Sequence, residues 1–558
     1  MVHGTLRVAF LHAPAAASLE SAQTPGFGQA LGAASVAAAL IGAGLCAPSD
    51  LLALSADAYP EDQPFLARIE AFNPDIVGFS LYSWNSARLV KIAHALRERG
   101  YAGFIIAGGP DAEGLALIDD KKGIFDAIFL GEAEREFIGW IESVRNATGR
   151  KDPCGEAIRC SAPDLAKIPS PWLTGLFDLK PGASIAWELT RGCPYRCAYC
   201  YEGRGSDRLR PMPAPRLEKE LEVFLEKEVA EVFVLDPTFN VQNNRALEIL
   251  AFLRKKAGSR VHWNFEVRAE LLNPAQVKAF AALPCFLQIG LQSSDAQVLA
   301  GIGRTLDRGK FVENCRLLDS QGVVFGLDLI YGLPGDSLGG FLKSLDFALS
   351  LAPNHLDIFG LSVLPGTELW EKREELGLDA ENEPPYALRS HYSSPGRQGF
   401  SESDMAEARE IAQATDYFYS KGRAVPWFKA VVEASGMKAS AWLKGFSCFE
   451  GYERQANPRH GDIEEAQIGW ARTVFGQPGP KARFASLATD MIRYFGAWSR
   501  ALAEGEKTIL SLAYHPETIE LAASAGLARL IRNPNFQRQP CKAEIGPSRK
   551  GPILRLLK

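Results

Sequence analysis

The first 145 residues alternate short apolar runs with segments of helical pattern. The apolar runs that read as strands are residues 7–12, 75–82, 104–109 and 127–131. Residues 31–45 read as a helix of small residues, and residues 87–97 read as an amphipathic helix. Near-continuously apolar strands separated by helices are typical of parallel sheets that are covered on both faces. The pattern therefore predicts a doubly wound α/β domain over residues 1–145.

A second series of apolar runs lies between residues 184 and 370 and also alternates with helical segments. The runs are residues 184–190, 231–240, 262–268, 286–294, 325–336 and 356–367. The second run ends with Asp236 and Asn240, and the third carries Glu266 and Arg268 on one face by period-two alternation. Parallel α/β barrels place their chemistry at the carboxyl ends of their strands, so these polar residues are candidates for a ligand site.

The remaining segments are a connector and a C-terminal region. Prolines at positions 153, 163, 169, 171 and 181 interrupt residues 146–183, so we expect a linker without regular structure there. Residues 371–558 have mainly helical patterns, and residues 401–404 form a capping sequence that opens a helix. Residues 542–558 carry five Lys and Arg and are expected to be a solvated end. We expect this region to cover the mouth of the second domain and to shape a substrate pocket.

Composition limits the class of protein. The chain has 558 residues, a net charge of −5, 47% hydrophobic residues and 23% charged residues, which is ordinary for a globular protein. The acidic balance gives no basic field for nucleic acid or an anionic membrane. Residues 21–49 lack charge but are built from Ala, Gly and Ser, which indicates a buried helix and not a membrane span. With no secretory pattern at the N-terminus, the sequence predicts a soluble cytoplasmic protein.

The most informative feature is a loop with three cysteines directly after the strand at 184–190. Cys193, Cys197 and Cys200 follow the spacing C-x3-C-x2-C. A [4Fe-4S] cluster held by protein alone takes four thiolates, so a loop with three leaves one iron open for another ligand. Structural zinc is disfavoured because the C-x2-C pair has no partner pair and the nearest downstream histidine is His262. Disulfides are disfavoured in a chain with ten cysteines in 558 residues and no secretory signal.

This loop resembles that of the radical S-adenosylmethionine (radical SAM) enzymes, including the aromatic Tyr199 before the last cysteine. The resemblance implies a (β/α)6 partial barrel of TIM type over residues 184–370, with a [4Fe-4S] cluster on Cys193, Cys197 and Cys200. It also implies that SAM binds the open iron and is cleaved to a 5′-deoxyadenosyl radical. An external electron donor such as flavodoxin or ferredoxin would reduce the cluster.

The same resemblance extends to motifs after the loop. It implies SAM contacts at the ends of the second, fourth and fifth strands, from Asp236, Asn240, Gln292, Ser293, Gly332 and Pro334, in addition to Tyr199. Arg268 is a candidate for the SAM carboxylate because a planar guanidinium matches that group in two-point geometry. The alternative is an internal ion pair between Glu266 and Arg268, and Glu266 is also a candidate SAM contact.

Residues 1–145 resemble the cobalamin-binding domain that precedes many radical SAM cores, with the match carried by residues 76–80, 107–110 and 129–134. The resemblance implies cobalamin at the carboxyl ends of the strands, near Ser80, Tyr82, Ser83, Gly108, Gly109, Gly131 and Glu132. The D-x-H-x-x-G sequence that supplies an axial histidine elsewhere is absent, so we expect no protein histidine on cobalt. The alternative is a flavodoxin-like domain without a ligand.

Together the two resemblances imply a cobalamin-dependent radical SAM enzyme that methylates an unactivated carbon of a small molecule or peptide. One alternative is a radical SAM enzyme whose cobalamin-like domain is empty or non-methylating and which catalyses cyclisation or rearrangement. Sulfur insertion is disfavoured because no second cysteine group has cluster spacing. A non-catalytic iron–sulfur redox protein is disfavoured because the motifs after the loop resemble SAM-binding motifs. An RNA-modifying enzyme is disfavoured by the acidic balance.

Overall fold

A computed structural model describes residues 5–12, 30–55, 61–117, 123–146, 155–203, 208–378, 399–453, 458–531, 536–548 and 551–557. The chain forms two compact units. The first comprises Met1–Leu287, Ile302–Arg304 and Ser362–Tyr392, and the second comprises Gln288–Gly301, Thr305–Leu361 and Ser393–Lys558.

The strands of the described residues are β1 Val8–His12, β2 Leu51–Ser55, β3 Ile76–Ser80, β4 Phe104–Gly108, β5 Ala127–Leu130, β6 Glu156–Arg159, β7 Ser184–Trp187, β8 Thr190–Arg191, β9 Arg210–Pro211, β10 Glu231–Val234, β11 His262–Val267, β12 Cys285–Gln292, β13 Val324–Tyr331, β14 His355–Gly360, β15 Thr508–Leu512, β16 Cys541–Gly546 and β17 Ile553–Leu557.

The α-helices are α1 Leu31–Gly42, α2 Asp62–Phe72, α3 Ser86–Glu98, α4 Ala112–Leu117, α5 Glu134–Asn146, α6 Ala214–Glu226, α7 Asn243–Lys256, α8 Pro274–Phe280, α9 Ala296–Gly301, α10 Arg308–Ser320, α11 Leu338–Ser350, α12 Glu368–Glu371, α13 Glu402–Thr415, α14 Phe428–Ser435, α15 Ala439–Ser447, α16 His460–Phe475, α17 Ala485–Ala503, α18 Pro516–Ala525 and α19 Leu527–Ile531.

The N-terminal part of the first unit is a doubly wound parallel sheet, which confirms the predicted fold. Its strand order is β2-β1-β3-β4-β5-β6, and its strand pairs are parallel. Val8 and Phe10 of β1 belong to a core with α1 and α5, whereas Ala9 and Leu11 belong to a second core with α2 and α3. The two cores lie on opposite faces because successive strand residues alternate.

One edge of this sheet differs from the prediction. β6 pairs in parallel with β5, although it lies within residues 146–183, where the prolines predicted no regular structure. That prediction was wrong because residues 156–159 lie between two prolines and contain none. The sequence analysis also did not identify β2, which is next to β1.

A second sheet begins in the first unit, where β10 pairs in parallel with β7 and β11. β12 runs from the first unit into the second, and the order of the sheet is β14-β13-β12-β11-β10-β7. This order, with helices between successive strands, agrees with the predicted (β/α)6 partial barrel.

The second unit contains β13 and β14, which are parallel, and the C-terminal helices. Ser401 caps α13, and Asp404 completes the predicted capping box. The antiparallel strands β15, β16 and β17 also lie here. The prediction that residues 542–558 form a solvated end was wrong for residues 542–546, because β16 buries Ala543 and Ile545, whereas β17 beside it is mostly exposed. Across the described parts of the chain, no helix is long and apolar enough to cross a membrane.

Candidate active site

The three cysteines lie in the first unit, in the loop that follows β7 and β8. Cys193 and Cys197 are buried, Cys200 is half-buried, and all three are free thiols. Burial raises the pKa of Cys193, and it raises the pKa of Cys200 to about 11. The charges of Cys193 and Cys197 also act on Cys200. The loop therefore brings the three thiols together in a partly dehydrated environment.

Two other segments of the first unit brace this loop. The amide of Ala198 donates to the carbonyl of Ile302 at 3.0 Å, and the amide of Leu369 donates to the carbonyl of Ala198 at 3.0 Å. Gly303 has a φ of +70°, and a Cβ there would lie 2.8 Å from the carbonyl oxygen of Arg196. Sequence reasoning did not select these residues, because nothing local shows that they pack on the loop.

Asp236 and Asn240, two predicted SAM contacts, hold backbone groups. Oδ1 of Asp236 accepts hydrogen bonds from the amides of Leu189 and Thr190 at 2.9 and 2.8 Å. Burial raises the pKa of Asp236 to about 6. The side-chain amide of Asn240 bonds both the N–H and the carbonyl of Arg268, at 3.0 and 2.9 Å. Both residues thus fix the surroundings of the cysteine loop, and their direct contact with SAM stays a prediction.

Arg268 lies directly against the cysteine loop. Its Nη2 donates to Sγ of Cys197 at 3.5 Å, and its guanidinium lies 3.5 Å from the ring centre of Tyr195. Nη1 is 3.2 Å from Oε1 of Glu270. Arg268 therefore pairs with Glu270, two residues further on, and the alternative pair with Glu266 is not seen in the part of the chain that the structure describes. Burial, followed by the charge of Glu202, raises the pKa of Glu266 to about 7.

The chemistry of the cysteine loop fits an iron–sulfur cluster. A [4Fe-4S] cluster takes one thiolate on each iron that the protein binds, and the loop offers three free thiols. The three free thiols, the adjacent Arg268 and the hydroxyl of Thr238 bonded to Cys193 are consistent with an anionic cluster. Tyr199 is also half-buried here, and its hydroxyl accepts from Arg304 at 3.2 Å.

The other predicted SAM residues lie in the second unit. Gln292 ends β12 with a φ of 65°, and its buried Oε1 has no hydrogen-bond partner among the described residues. A non-glycine residue with positive φ and an unpaired buried polar atom is typical of a ligand site. Ser293 is buried, with its hydroxyl 3.3 Å from that of Ser344. Gly332 has a φ of +83°, and a Cβ there would lie 2.9 Å from Sδ of Met405. Pro334 is half-buried.

A cavity of about 860 Å³ lies in the first unit at the carboxyl ends of β1, β3, β4 and β5. Its lining includes six predicted cobalamin residues: Ser80, Tyr82, Gly108, Gly109, Gly131 and Glu132. It also includes residues near the cysteine loop, namely Glu188, Thr190, Arg191, Gly192, Tyr201 and Glu202. Burial raises the pKa of Glu188 to about 7 and also raises the pKa of Glu202. The cavity thus connects the sheet to the loop that carries the thiols.

Glycines leave room in this cavity for a flat ligand. A Cβ on Gly32 would find only the hydroxyl of Tyr82, at 3.9 Å, and a Cβ on Gly108 would lie 3.8 Å from the carbonyl oxygen of Phe129. Gly109 has a different role, because its φ is +102° and a Cβ there would lie 2.4 Å from the carbonyl oxygen of Leu81. The cavity therefore fits a macrocycle that approaches the backbone closely.

The loop after β3 contributes aromatic surface to the cavity. The ring of Tyr82 stacks on that of Trp84 with centroids 4.6 Å apart and planes 18° apart, and both residues line the cavity. Sequence reasoning selected Ser83 and not Trp84, but Ser83 is exposed and is absent from the lining. His12 also lines the cavity at the end of β1, and the expectation of a cobalt without a protein histidine stays a prediction.

Comparison with known proteins gives two family matches. Residues 187–348 match the model of the radical SAM superfamily, and residues 21–138 match that of the B12 binding domain. The cobalamin-dependent radical SAM methyltransferase TokK of Streptomyces tokunonensis is 27% identical over 67% of this chain and 56% of its own length. The 2-(S-pantetheinyl)-carbapenam-3-carboxylate methyltransferase of Streptantibioticus cattleyicolor is 28% identical over 62% of this chain and 54% of its own length. The chain thus spans a little over half of these relatives.

Solved structures show the same fold. The radical SAM methyltransferase TsrM of Kitasatospora setae, with cobalamin and a [4Fe-4S] cluster bound, has a TM-score of 0.56 and 14% identity over 88% of this chain and 100% of its own. The cobalamin-dependent radical SAM enzyme OxsB with aqua-cobalamin bound has a TM-score of 0.56 and 13% identity over 84% of this chain and 80% of its own.

Proposed function

Because the chain belongs to the radical SAM superfamily, in the branch that carries a cobalamin-binding domain, we propose that it methylates an unactivated carbon of a small-molecule or peptide substrate. The observation that carries this proposal is the cavity in the first unit. Its lining combines the carboxyl ends of the N-terminal sheet with the residues that lead into Cys193. A ligand of the sheet and a ligand of the cysteine loop would therefore share one cavity.

The cofactors supply the chemistry, and the chain supplies orientation. When bound, the cluster and SAM supply a 5′-deoxyadenosyl radical and cobalamin supplies the methyl group. Cys193, Cys197 and Cys200 would hold the cluster, and Gly32 and Gly108 would leave room for the corrin in the cavity. Holding the reactants at near-contact distance lets a radical meet its partner before solvent does. The relatives TokK and the carbapenam methyltransferase support methyl transfer as the reaction.

We assign Arg268 to the SAM carboxylate and to the electrostatics of the cluster. Arg268→Met is expected to weaken SAM binding about tenfold to a hundredfold, because a charge-assisted hydrogen bond contributes about 1.5–3 kcal/mol. It should also make the cluster potential more negative, because it removes a cation and a hydrogen bond beside Cys197. Equilibrium dialysis with SAM and a redox titration followed by EPR measure the two effects.

Arg268→Lys is the matched control for this variant. It should recover most of the potential, which depends on charge, but little of the SAM affinity, which depends on two-point geometry. Unchanged SAM affinity in Arg268→Met would contradict the assignment and leave Arg268 as a packing partner of Tyr195.

Cobalamin retention tests the proposed function directly. The protein is reconstituted anaerobically with iron and sulfide, mixed with hydroxocobalamin and desalted, and its metal content and visible spectrum are recorded. About one cobalt and four irons per chain are expected. Four irons without cobalt would reject methyl transfer through cobalamin and favour a radical cyclisation or rearrangement.

The proposal also includes an electron donor and a cellular compartment. An external one-electron donor such as flavodoxin or ferredoxin would reduce the cluster, because the cluster must be reduced again after each cleavage of SAM. A reducing compartment such as the cytoplasm would protect an oxygen-labile cluster of this kind.

A further inference from the structure

Arg191, two residues before Cys193, is the centre of a buried ion-pair cluster. Its Nε donates to both carboxylate oxygens of Glu188, at 2.8 and 2.9 Å. Its Nη1 donates to Glu132 at 2.9 Å and to Glu134 at 2.7 Å. The side chain is only 13% exposed. Its guanidinium is therefore largely shielded from water and is bound by these carboxylates instead.

Three further partners of Arg191, namely Glu132, Glu134 and Ser35, come from the cobalamin-binding domain. Glu132 and Glu134 follow β5 at the carboxyl end of the sheet, and Ser35 lies on α1. Nη2 of Arg191 donates to Oγ of Ser35 at 3.3 Å, and Oγ of Ser35 donates to Glu134 at 2.9 Å. Arg191 therefore ties the entrance of the cysteine loop to two elements of the other domain within the first unit.

A second arginine doubles this connection. Arg210 on β9 is the register partner of Arg191 on β8, and Arg210 also binds Glu132. Glu132 thus separates two neighbouring guanidinium groups. Because Arg191 binds Glu132, Glu134 and Glu188, and Arg210 also binds Glu132, removal of one arginine leaves buried carboxylates with less compensation.

The loop is held from both sides just before the first thiol. On the side of the barrel, Asp236 bonds the amides of Leu189 and Thr190. On the side of the cobalamin domain, Glu132 and Glu134 hold the next residue, Arg191. Only Gly192, with a φ of +89°, lies between Arg191 and Cys193. A shift of Arg191 would therefore change the position of the cysteine loop relative to the cobalamin domain, while the loop's own contacts with Ile302 and Leu369 would remain.

We propose that Arg191 is a positioning residue that sets the spacing between the cysteine loop and the cobalamin cavity, and thereby the transfer of methyl from SAM to cobalt. This inference rests on the proposed function. Methyl transfer requires SAM at the cysteine loop and cobalamin at the sheet to lie at the right distance, so it should depend on Arg191. Reductive cleavage of SAM requires only the cysteine loop, so it should not. Only a guanidinium offers donors on the two edges that face Glu188 and the Glu132–Glu134 pair at once.

The experiment separates the two reactions of SAM and needs no methyl acceptor. The holoenzyme with iron, sulfide and hydroxocobalamin is reduced with titanium(III) citrate and mixed with SAM. Methyl transfer breaks the sulfur–methyl bond, forms a cobalt–carbon bond with the electron pair of Co(I), and releases S-adenosylhomocysteine. Reductive cleavage takes one electron from the cluster and yields methionine and the 5′-deoxyadenosyl radical, which abstracts a hydrogen atom and is counted as 5′-deoxyadenosine. Both products are measured in one chromatogram.

Arg191→Met is expected to slow formation of S-adenosylhomocysteine about tenfold to a hundredfold, because displacements of about 1 Å have effects of this size. Iron, cobalt and the rate of 5′-deoxyadenosine formation should stay within about twofold of the wild type. Glu134→Ala should also slow formation of S-adenosylhomocysteine, although it leaves the sequence of the cysteine loop unchanged. Arg191→Lys should recover part of the rate that Arg191→Met loses. Arg99→Met, which removes a surface ion pair with Glu70 from the same domain, is the control and should change neither product.

An unchanged rate of S-adenosylhomocysteine formation in Arg191→Met and Glu134→Ala would overturn the inference. A parallel loss of iron and of both products in Arg191→Met, Arg191→Lys and Glu134→Ala would also overturn it. Arg191 would then serve only the folding of the loop. A wild-type protein that retains no cobalt would reject the proposed function, and this inference with it.

Discussion

Replacing Cys193, Cys197 or Cys200 by Ala is expected to reduce cleavage of SAM to 5′-deoxyadenosine to the background of a reaction without protein. The loop supplies three thiolates for a cluster that needs a protein ligand on three of its irons. None of the other described cysteines lies in this loop, so the loop has no spare thiolate for a lost ligand. Each variant should also retain much less iron than the wild type after reconstitution.

Iron content, the EPR signal of the reduced cluster and 5′-deoxyadenosine are measured together after anaerobic reconstitution. Cys448→Ala is the matched control, because Cys448 is an exposed free thiol in the second unit and its loss should change none of the three. Full SAM cleavage in any one of the loop variants would show that the cluster is held by other residues.

The elements that the sequence predicted well are those whose burial is continuous. β1 and β3 are buried at every position, so their apolar runs stand out without any knowledge of their neighbours. β6 has three exposed residues and one partly buried residue, and it is stabilised by pairing with β5. β17 is likewise mostly exposed and pairs with β16. Edge strands of this kind depend on partners that a local pattern does not contain.

The candidate site shows the same division between local and distant information. The cysteine spacing is local, and it located the loop correctly after a strand. The ion pairs of Arg191 join residues that are 57 and 59 positions apart, and its bond to Ser35 spans 156 positions. The positive φ of Gln292 is equally invisible in the sequence, because glutamine has no preference for that conformation. The contacts and conformations of these residues are set by tertiary packing, and the residue types alone do not predict them.

The cobalamin cavity allows a prediction in which a side chain is added. Gly108→Phe is expected to lower cobalt retention about tenfold to a hundredfold, because filling a packed space costs about 1–3 kcal/mol. The new ring would start from a position 3.8 Å from the nearest backbone oxygen, so the strand can accept it while the cavity is filled. Iron content should stay at the wild-type level, since the cysteine loop is unchanged.

Gly32→Phe, on α1, should have the same effect, because a Cβ there meets only the hydroxyl of Tyr82, at 3.9 Å. Replacing a helical glycine also favours α1, so loss of cobalt in this variant would not reflect an unfolded domain. Gly108→Ala and Gly32→Ala are the matched controls, because a methyl group fits at both positions and leaves the cavity open. Cobalt and iron are counted after desalting, with circular dichroism to verify folding. If both phenylalanine variants retained a full cobalt, the corrin would bind away from this cavity, and the carboxyl ends of β1, β3, β4 and β5 would have another ligand.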